Sequence, residues 1–409
     1  MGAIVFKRGQ YISHLKIVAI LMFFGCAFTV HPAEINTENV PVIDIPKILI
    51  ETEKHRVLSA ADKYLLESPV TITSFPSSRS AGGIQDYFSE GDYWWPDPDN
   101  PEGPYIQKDG LTNPDNFTAH RKALIRFSIQ VAALTTAYKV SGDKTYALHA
   151  IRHLQAWFVN PDTRMNPHLL YAQAIKGRFT GRGIGIIDTI HLIEIAKSIM
   201  FLEQEGILDA DKLAAIKRWF TEYLHWLTTH QYGIDEMNAK NNHGTCWVMQ
   251  VAAFSSLVGD EEKLEICKNR YKEVLLPNQM SESGSFPLEL KRTKPYNYSL
   301  FNLDAMFTIC QILSTDKDNL WNYRLPDGRN IKRAIDFMYP FIEDKSRWKY
   351  PQDVMYYEYY PVRHPALLFA FIAYQEDKYF NLWKSLNADP ENEEVIRNFP
   401  IRQPLLWVK

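Results

Sequence analysis

AHRKALIRFSIQVAALTTAYKVSGDKTYALHAIRHLQAWF, residues 119–158, is the stretch on which the fold turns. Ala123, Leu124, Phe127, Val131 and Leu134 recur at helical spacing, so one face of a helix over 119–138 is apolar. Ser141-Gly142-Asp143 then supplies a turn, and residues 145–158 repeat the helical pattern. The unit is a helical hairpin. Outward from it, further amphipathic runs cover 184–203, 211–228, 245–258, 261–275, 299–313, 331–342 and 365–374. Short turns such as Gly259-Asp260 join partners, long aromatic and polar loops separate pairs, and no strong strand alternation is present. Serial hairpins of this kind predict an all-α protein, an incomplete α/α toroid of about six to seven hairpins with long loops over a cleft. An irregular helical bundle is the alternative.

The 409-residue chain is 46% hydrophobic and 23% charged, as ordinary globular proteins are. Nothing over 34–409 reads as a flexible linker, which predicts a single domain. A net charge of −3 gives no bulk attraction to a polyanion, and no nucleic-acid partner is expected; an anionic ligand would need positive charge focused in a cleft. At the start, Lys7, Arg8 and Lys16 precede an apolar run over 17–24. That order predicts an export signal over 1–33 and a periplasmic or outer-membrane-associated protein. Cys26 after Gly25 adds the alternative of lipoprotein processing, the one route by which membrane association is expected. Cys246, Cys267 and Cys310 would remain; without a CxxC pair they predict neither a zinc knuckle nor a disulfide framework.

Three segments are poor material for plain helix packing. The first runs Gly91-Asp92-Tyr93-Trp94-Trp95-Pro96-Asp97-Pro98-Asp99-Asn100 and on through Tyr105 and Asp109 to Asn113. Its Pro, Asp and Asn content forbids a regular helix, yet Trp94 and Trp95 demand burial or a ligand. It is either a loop pinned by its tryptophans or a wall on which sugars stack. The second, Lys240-Asn241-Asn242-His243-Gly244, opens a helix expected near Thr245. Its amides and imidazole are either caps or, beside the helix's free N–H groups, ligands for a carboxylate. The third, Glu289-Leu290-Lys291-Arg292-Thr293-Lys294-Pro295-Tyr296-Asn297-Tyr298, crowds cations and tyrosines before a helix expected near Ser299.

The second and third segments together hold a kit for β-elimination of a uronate. The C5 proton lies α to a carboxylate, and its removal puts a second negative charge on that group. The catalyst must neutralise the carboxylate, supply a base at C5 and supply an acid for the leaving O4. Asn, His and Arg can do the first without a metal or other cofactor. A tyrosine can do the others if a neighbouring cation favours its phenolate.

At these residues the sequence resembles the alginate lyase family of α/α-toroid polysaccharide lyases, over roughly 86–360. The resemblance is carried by Gly-Asp-Tyr-Trp-Trp-Pro at 91–96, Gly-Arg-Gly-Ile-Gly-Ile-Ile-Asp at 181–188, Asn-Asn-His at 241–243 and the 292–298 segment. It implies catalytic roles for Asn242, His243, Arg292 and Tyr298, with Tyr296 competing for the tyrosine role. Asn242 and Arg292 would bind the carboxylate, and Tyr298 would serve as base and acid on mannuronate. His243 would be the base on guluronate, whose C5 proton faces the other way. Asn241, Arg182, Trp94, Trp95, His120, Arg121, Tyr356 and Tyr357 are the remaining candidates for substrate contacts. Alginate is the implied substrate, with glucuronan or another uronan as alternatives. A toroid glycoside hydrolase would instead need two placed carboxylates, for which Asp97, Asp188 and Glu289 are available. A non-catalytic glycan-binding protein would keep the aromatic wall alone. No compact carboxylate cluster argues for calcium.

Overall fold

A computed structural model describes residues 44–408; the 1–33 segment read as an export signal lies outside them. The first element, α1 (Ile45–Tyr64), is one the periodicity reading passed over. Asp44 caps it by accepting from the Lys47 amide at 3.0 Å, Pro46 sits in its first turn, and it buries Leu49, Glu53, Val57 and Ala61, one residue per turn.

Between α1 and the hairpin lie three short strands, β1 (Phe88–Glu90), β2 (Trp94–Trp95) and β3 (Ile106–Gln107). The hairpin follows as read, with α2 (Ala119–Ser141) and α3 (Lys144–Phe158) turning through Gly142, whose φ of +73° suits glycine. β4 (Tyr171–Ala174) pairs parallel with β1, while β2 and β3 pair antiparallel. These strands are two to four residues long, too short to show alternation in sequence.

The 184–203 run divides. Gly183–Thr189 coils as a 3-10 turn, and the helix proper is α4 (Leu192–Gln204). Gly185 passes so close to Ala172 of β4 that a Cβ there would collide with it, which ties this turn to the strand pair. Next come α5 (Ala210–Thr229), α6 (Gln231–Met237), α7 (Asn242–Val258) and α8 (Glu261–Arg270). A π-helical turn over Tyr271–Leu275 leads into α9 (Leu276–Gln279), followed by α10 (Pro287–Leu290) and α11 (Pro295–Leu313). The chain ends with α12 (Lys332–Glu343), α13 (Pro365–Tyr374), α14 (Asp377–Ser385) and α15 (Glu393–Arg397).

Helices α2, α4, α7, α11 and α13 pack side by side in that order. They form the inner layer, and α7 and α11 are buried around nearly their whole circumference. Around them lie α3 on α2, α5 and α8 on α7, α12 across α11 and α13, and α14 on α13. These outer helices bury a single stripe, as α5 does with Ile216, Trp219, Phe220, Tyr223, Leu224 and Leu227. At roughly 1.5–3 kcal/mol for each large apolar side chain removed from water, that stripe is ample to fix one face inward. The two layers are those of an α/α toroid. Cys246, Cys267 and Cys310 are buried free thiols. Among the described residues no helix is long and apolar enough to cross a membrane.

Candidate active site

Both helices that open the catalytic segments begin earlier than the periodicity placed them. α7 starts at Asn242 rather than near Thr245, and α11 at Pro295 rather than near Ser299. Pro295 in the first turn lacks only an N–H that has no helical partner anyway. Asn242 and His243 therefore lie in the first turn of α7, and Tyr298 in that of α11. Because α7 and α11 are neighbours, Asn242, His243, Arg292 and Tyr298 meet at one cavity of about 120 Å³.

The sequence points to the free N–H groups at the start of α7 as a place for a substrate carboxylate. The structure fills that place with a side chain. Glu289, fully buried in α10, accepts from the Asn242 backbone N–H at 2.7 Å and from its Nδ2 at 2.8 Å. The carboxylate caps the helix from another segment and fixes the Asn242 amide. Burial raises the Glu289 pKa, and the two Asn242 hydrogen bonds and Arg292 oppose it. The start of α11 is filled in the same way, Asp353 accepting from the Tyr296 and Asn297 amides at 2.8 and 2.9 Å.

His243 has a buried carboxylate behind it as well. Its Nδ1 lies 2.6 Å from Oε1 of Glu236, leaving Nε2 as the nitrogen for a ligand. Burial lowers the imidazole pKa, but the charge and hydrogen bond of Glu236 outweigh it, and the net shift is upward. The imidazolium is thus favoured.

Arg292 donates from Nη2 to Asp109 at 2.9 Å, and its guanidinium carbon stands 4.4 Å from the centre of the Tyr298 ring. Tyr298 Oη is 2.9 Å from Tyr93 Oη, and Lys294 Nζ donates to Tyr93 at 3.3 Å while pairing with Glu394 at 3.0 Å. Burial pushes the Tyr298 phenol up to about 12, with Arg292 and Tyr93 pulling it down. The cation beside it is present as the sequence implied, yet shared with Asp109. At neutral pH Tyr298 is therefore a neutral phenol.

Of the other candidates, Trp94 and Arg182 line the same cavity. Arg182 donates from Nε to the Gln173 carbonyl at 2.8 Å and lies 5.7 Å from the Trp94 ring centre; burial lowers its pKa to about 10. The rest lie elsewhere. Tyr296 is 0% exposed, its hydroxyl donating to the Phe341 carbonyl, so only Tyr298 of the two faces the cleft. His120 is held between the Phe88 amide and the Phe75 carbonyl, and Arg121 is buried in ion pairs with Asp92 and Asp188. Both brace the loop rather than line it. Trp95 sits on the outer side, donating to the Leu111 carbonyl beneath Lys108. Asn241 precedes α7 and gives its carbonyl to Gln279. Tyr356 and Tyr357 pack on Lys294 and Lys345 outside the cavity lining.

The carboxylates offered for a hydrolase are not placed for it. Glu289 is bound to Asn242, Asp188 is buried among Tyr87, Ser89 and Gln173, and Asp97 closes a surface turn by accepting from the Asp99 amide. Asp92 and Asp109 do line the cavity, but each is paired with arginine, Asp92 with both Arg121 and Arg397, and is held low, to about 2 for Asp92. Among the described residues no group of three or more His, Cys, Asp or Glu converges as a metal site. Sequence reasoning missed Tyr93, Gln173 and Arg397 in the lining, and Glu236 behind it. Tyr93 lay inside a quoted motif. Arg397 has no local signal, since a five-residue helix near the end of the chain carries it to the site.

An inner layer of helices whose ends bring Asn, His, Arg and Tyr to one cavity, with every carboxylate near it among the described residues committed, fits a polysaccharide lyase of the α/α-toroid type. The comparisons make this specific. The alginate lyase family profile matches residues 71–348. The crystal structure of an alginate lyase from Bacteroides ovatus superposes with a TM-score of 0.76 at 31% identity, covering 88% of this chain and 93% of that one. The chain belongs to the alginate lyase family. Alginate lyase A1-III from Sphingomonas species A1 shares the fold at a TM-score of 0.51 and 15% identity, over 81% of this chain and 88% of its own. A variant of alginate lyase A1-III complexed with a tetrasaccharide gives 0.55 and 15%, over 88% and 94%. No curated protein sequence matches.

Proposed function

We propose that this lyase cleaves alginate by β-elimination, with Tyr298 as the proton-transfer residue and mannuronate as the sugar it suits best. The observation carrying the reading is the convergence of Asn242, His243, Arg292 and Tyr298 on one cavity, each held by a partner of its own. The Asn242 amide, the His243 imidazolium and Arg292 surround the sugar carboxylate and stabilise the charge that develops on it. Tyr298, ionised, takes the C5 proton. The electron pair of that C–H bond moves into the carboxylate system, then forms the C4–C5 double bond as the C4–O4 bond breaks. O4 leaves with the proton from Tyr298, which returns to its starting state.

While Tyr298 is ionised, Tyr93 must donate to it, and Lys294 donates to Tyr93 in turn, so two relayed hydrogen bonds and Arg292 support the phenolate. A guluronate route would require His243 to accept a proton at Nε2. The Glu236 carboxylate on Nδ1 favours the charged ring, which has no lone pair to offer. This supports His243 as a carboxylate ligand. Initial rates of unsaturated uronate formation, read in the near ultraviolet, on polymannuronate, polyguluronate, glucuronan and hyaluronan test the reading. Mannuronate should lead; reducing ends appearing without unsaturated product would overturn it.

We infer from the charged-then-apolar pattern over 1–33 that the protein is exported to the periplasm or outer membrane. Cell fractionation with mass determination of the mature N-terminus tests this, and acylation at Cys26 would identify a lipid anchor.

A further inference from the structure

Trp94 of the catalytic cavity is approached by Arg178, which lines a second, larger groove of about 720 Å³ together with Arg79, Tyr105, Lys176 and Phe179. Its rim is a tight turn closed by paired backbone bonds between Ile175 and Phe179, at 2.8 and 3.0 Å. The turn is anchored to the preceding loop, where the Tyr105 amide donates to the Lys176 carbonyl at 3.1 Å. Arg178 is exposed at the surface yet held in place. Its Nε donates to the Tyr105 carbonyl at 2.7 Å and its guanidinium carbon lies 5.5 Å from the Trp94 ring centre. Next to it Phe179 leaves 56% of its surface exposed.

The charges of this groove are unequal. Glu90 is the one acidic residue in its lining; it is buried, accepts from the Phe117 amide at 2.6 Å and pairs with Arg79. Lys176 pairs with exposed Glu102, at 3.5 Å. Among the described residues Arg178 has no carboxylate within 4.0 Å, nor does Arg182 on the cavity side of Trp94. A tryptophan flanked by two guanidiniums free of ion pairs, followed by an exposed ring, matches a chain of pyranoses that bears one carboxylate on each unit. The ring faces meet the aromatics, and the carboxylates meet the cations.

We propose that the groove is an extension of the substrate cleft, in which Arg178 and Phe179 bind uronate units lying beyond those held in the catalytic cavity. The proposal rests on the lyase reading above. Its consequence is a dependence on chain length, because oligouronates too short to pass Trp94 cannot reach Arg178.

The test measures kcat/KM on size-defined oligomannuronates, from the shortest cleaved to about ten units, for the parent, Arg178→Ala, Arg178→Glu and Phe179→Ala. An exposed ion pair is modest, so Arg178→Ala should lose about two- to fivefold on long oligomers. The loss should shrink toward the shortest substrate and fade as added salt screens the charge. Arg178→Glu should lose more than Arg178→Ala, since it repels the polymer, and Phe179→Ala should show the same length dependence without the salt dependence. Equal losses at every length, or equal losses for Arg178→Ala and Arg178→Glu, would make Arg178 a brace for Trp94 and overturn the proposal. So would no loss at any length. If the parent forms no unsaturated product from any oligomer, the lyase reading itself fails, an outcome distinct from all of these.

Discussion

Replacing Glu289 by Gln isolates the one carboxylate that positions Asn242. Both Glu289 oxygens accept, from the Asn242 N–H and from its Nδ2, and neither is exposed. Glutamine keeps the shape but offers a single oxygen. Whichever way its amide is turned, an NH2 group faces one of the two donors, so one hydrogen bond is lost and a buried donor is stranded. That costs about 1–3 kcal/mol, and if the strain is relieved by rotating the Asn242 amide off the sugar carboxylate, kcat falls about five- to 150-fold. The substitution also removes a negative charge close to where the substrate anion binds, so KM should stay level or fall. A drop in kcat without a rise in KM is therefore the expected signature. Initial rates on polymannuronate give the split, and thermal melting with circular dichroism establishes that the variant is folded. A folded variant whose kcat stays within about twofold of the parent would refute the reasoning, since a 1 kcal/mol displacement already exceeds that. Glu289 would then be a helix cap and nothing more.

Tyr298→Phe should remove nearly all activity while the fold and oligosaccharide binding persist, whereas Tyr296→Phe should cost stability through the buried bond to the Phe341 carbonyl and leave kcat nearly unchanged; the reverse pattern in matched kinetics and melts would move the proton transfer to Tyr296. With the Tyr298 phenol pushed up to about 12, its ionised fraction grows tenfold per pH unit, so kcat should climb with pH for as long as His243 keeps its proton and turn down once that proton is lost. The folded pKa of His243 lies above its unfolded value, so the stability gained from the Glu236 pair is complete below about 6.5 and vanishes as pH rises through the folded value. A pH–rate profile with no rising limb on the acid side of its maximum would count against a phenolate base. Arg182→Gln should raise KM for the polymer about tenfold or more, the worth of a hydrogen bond to a charged group, with a smaller change in kcat; an unchanged KM would remove Arg182 from substrate binding.

The legible part of this protein was its inner layer. α2 and α3 were readable because Ala123, Leu124, Phe127, Val131 and Leu134 keep a helical period up to a glycine turn, and the segments holding Asn242, His243, Arg292 and Tyr298 stood out because amides, an imidazole, cations and tyrosines gather at or just before helix starts, where packing alone does not call for them. α1 was legible in principle, as Asp44, Pro46 and the four-residue spacing from Leu49 to Ala61 are ordinary helix signals. The strands were not, because a two-residue pairing such as Trp94–Trp95 with Ile106–Gln107 depends on a distant partner. The same holds for the carboxylates that hold the site. Glu289 lies 47 positions from Asn242, and Asp109 lies 183 from Arg292, and no local pattern announces either pairing. His120, Arg121 and Tyr296 resemble site residues in composition, and only burial reveals them as braces.

That distribution of partners bears on how an enzyme in a chain of net charge −3 can hold an anionic polymer. The cations at the cavity are almost all neutralised from behind, His243 by Glu236, Arg292 by Asp109, and Arg397 by Asp92 and Glu394. Each pair fixes a side chain in the geometry that a developing charge needs, and a fixed dipole in a site shielded from water stabilises that charge without first reorganising. A cleft in which every cation was paired would have little to attract the ground-state polymer. Arg182 is suited to that need, being half-buried, pulled down to about 10 by the loss of water and, among the described residues, free of any carboxylate within 4.0 Å. It lies against Trp94, the ring that Arg178 of the second groove also approaches. An incoming uronate supplies the anion that Arg182 lacks and regains part of the solvation lost on burial. On the proposed mechanism the two kinds of cation divide the work: the paired His243 and Arg292 hold the reacting carboxylate and stabilise the charge that develops on it, and the unpaired Arg182 and Arg178 add attraction for the carboxylates along the polymer.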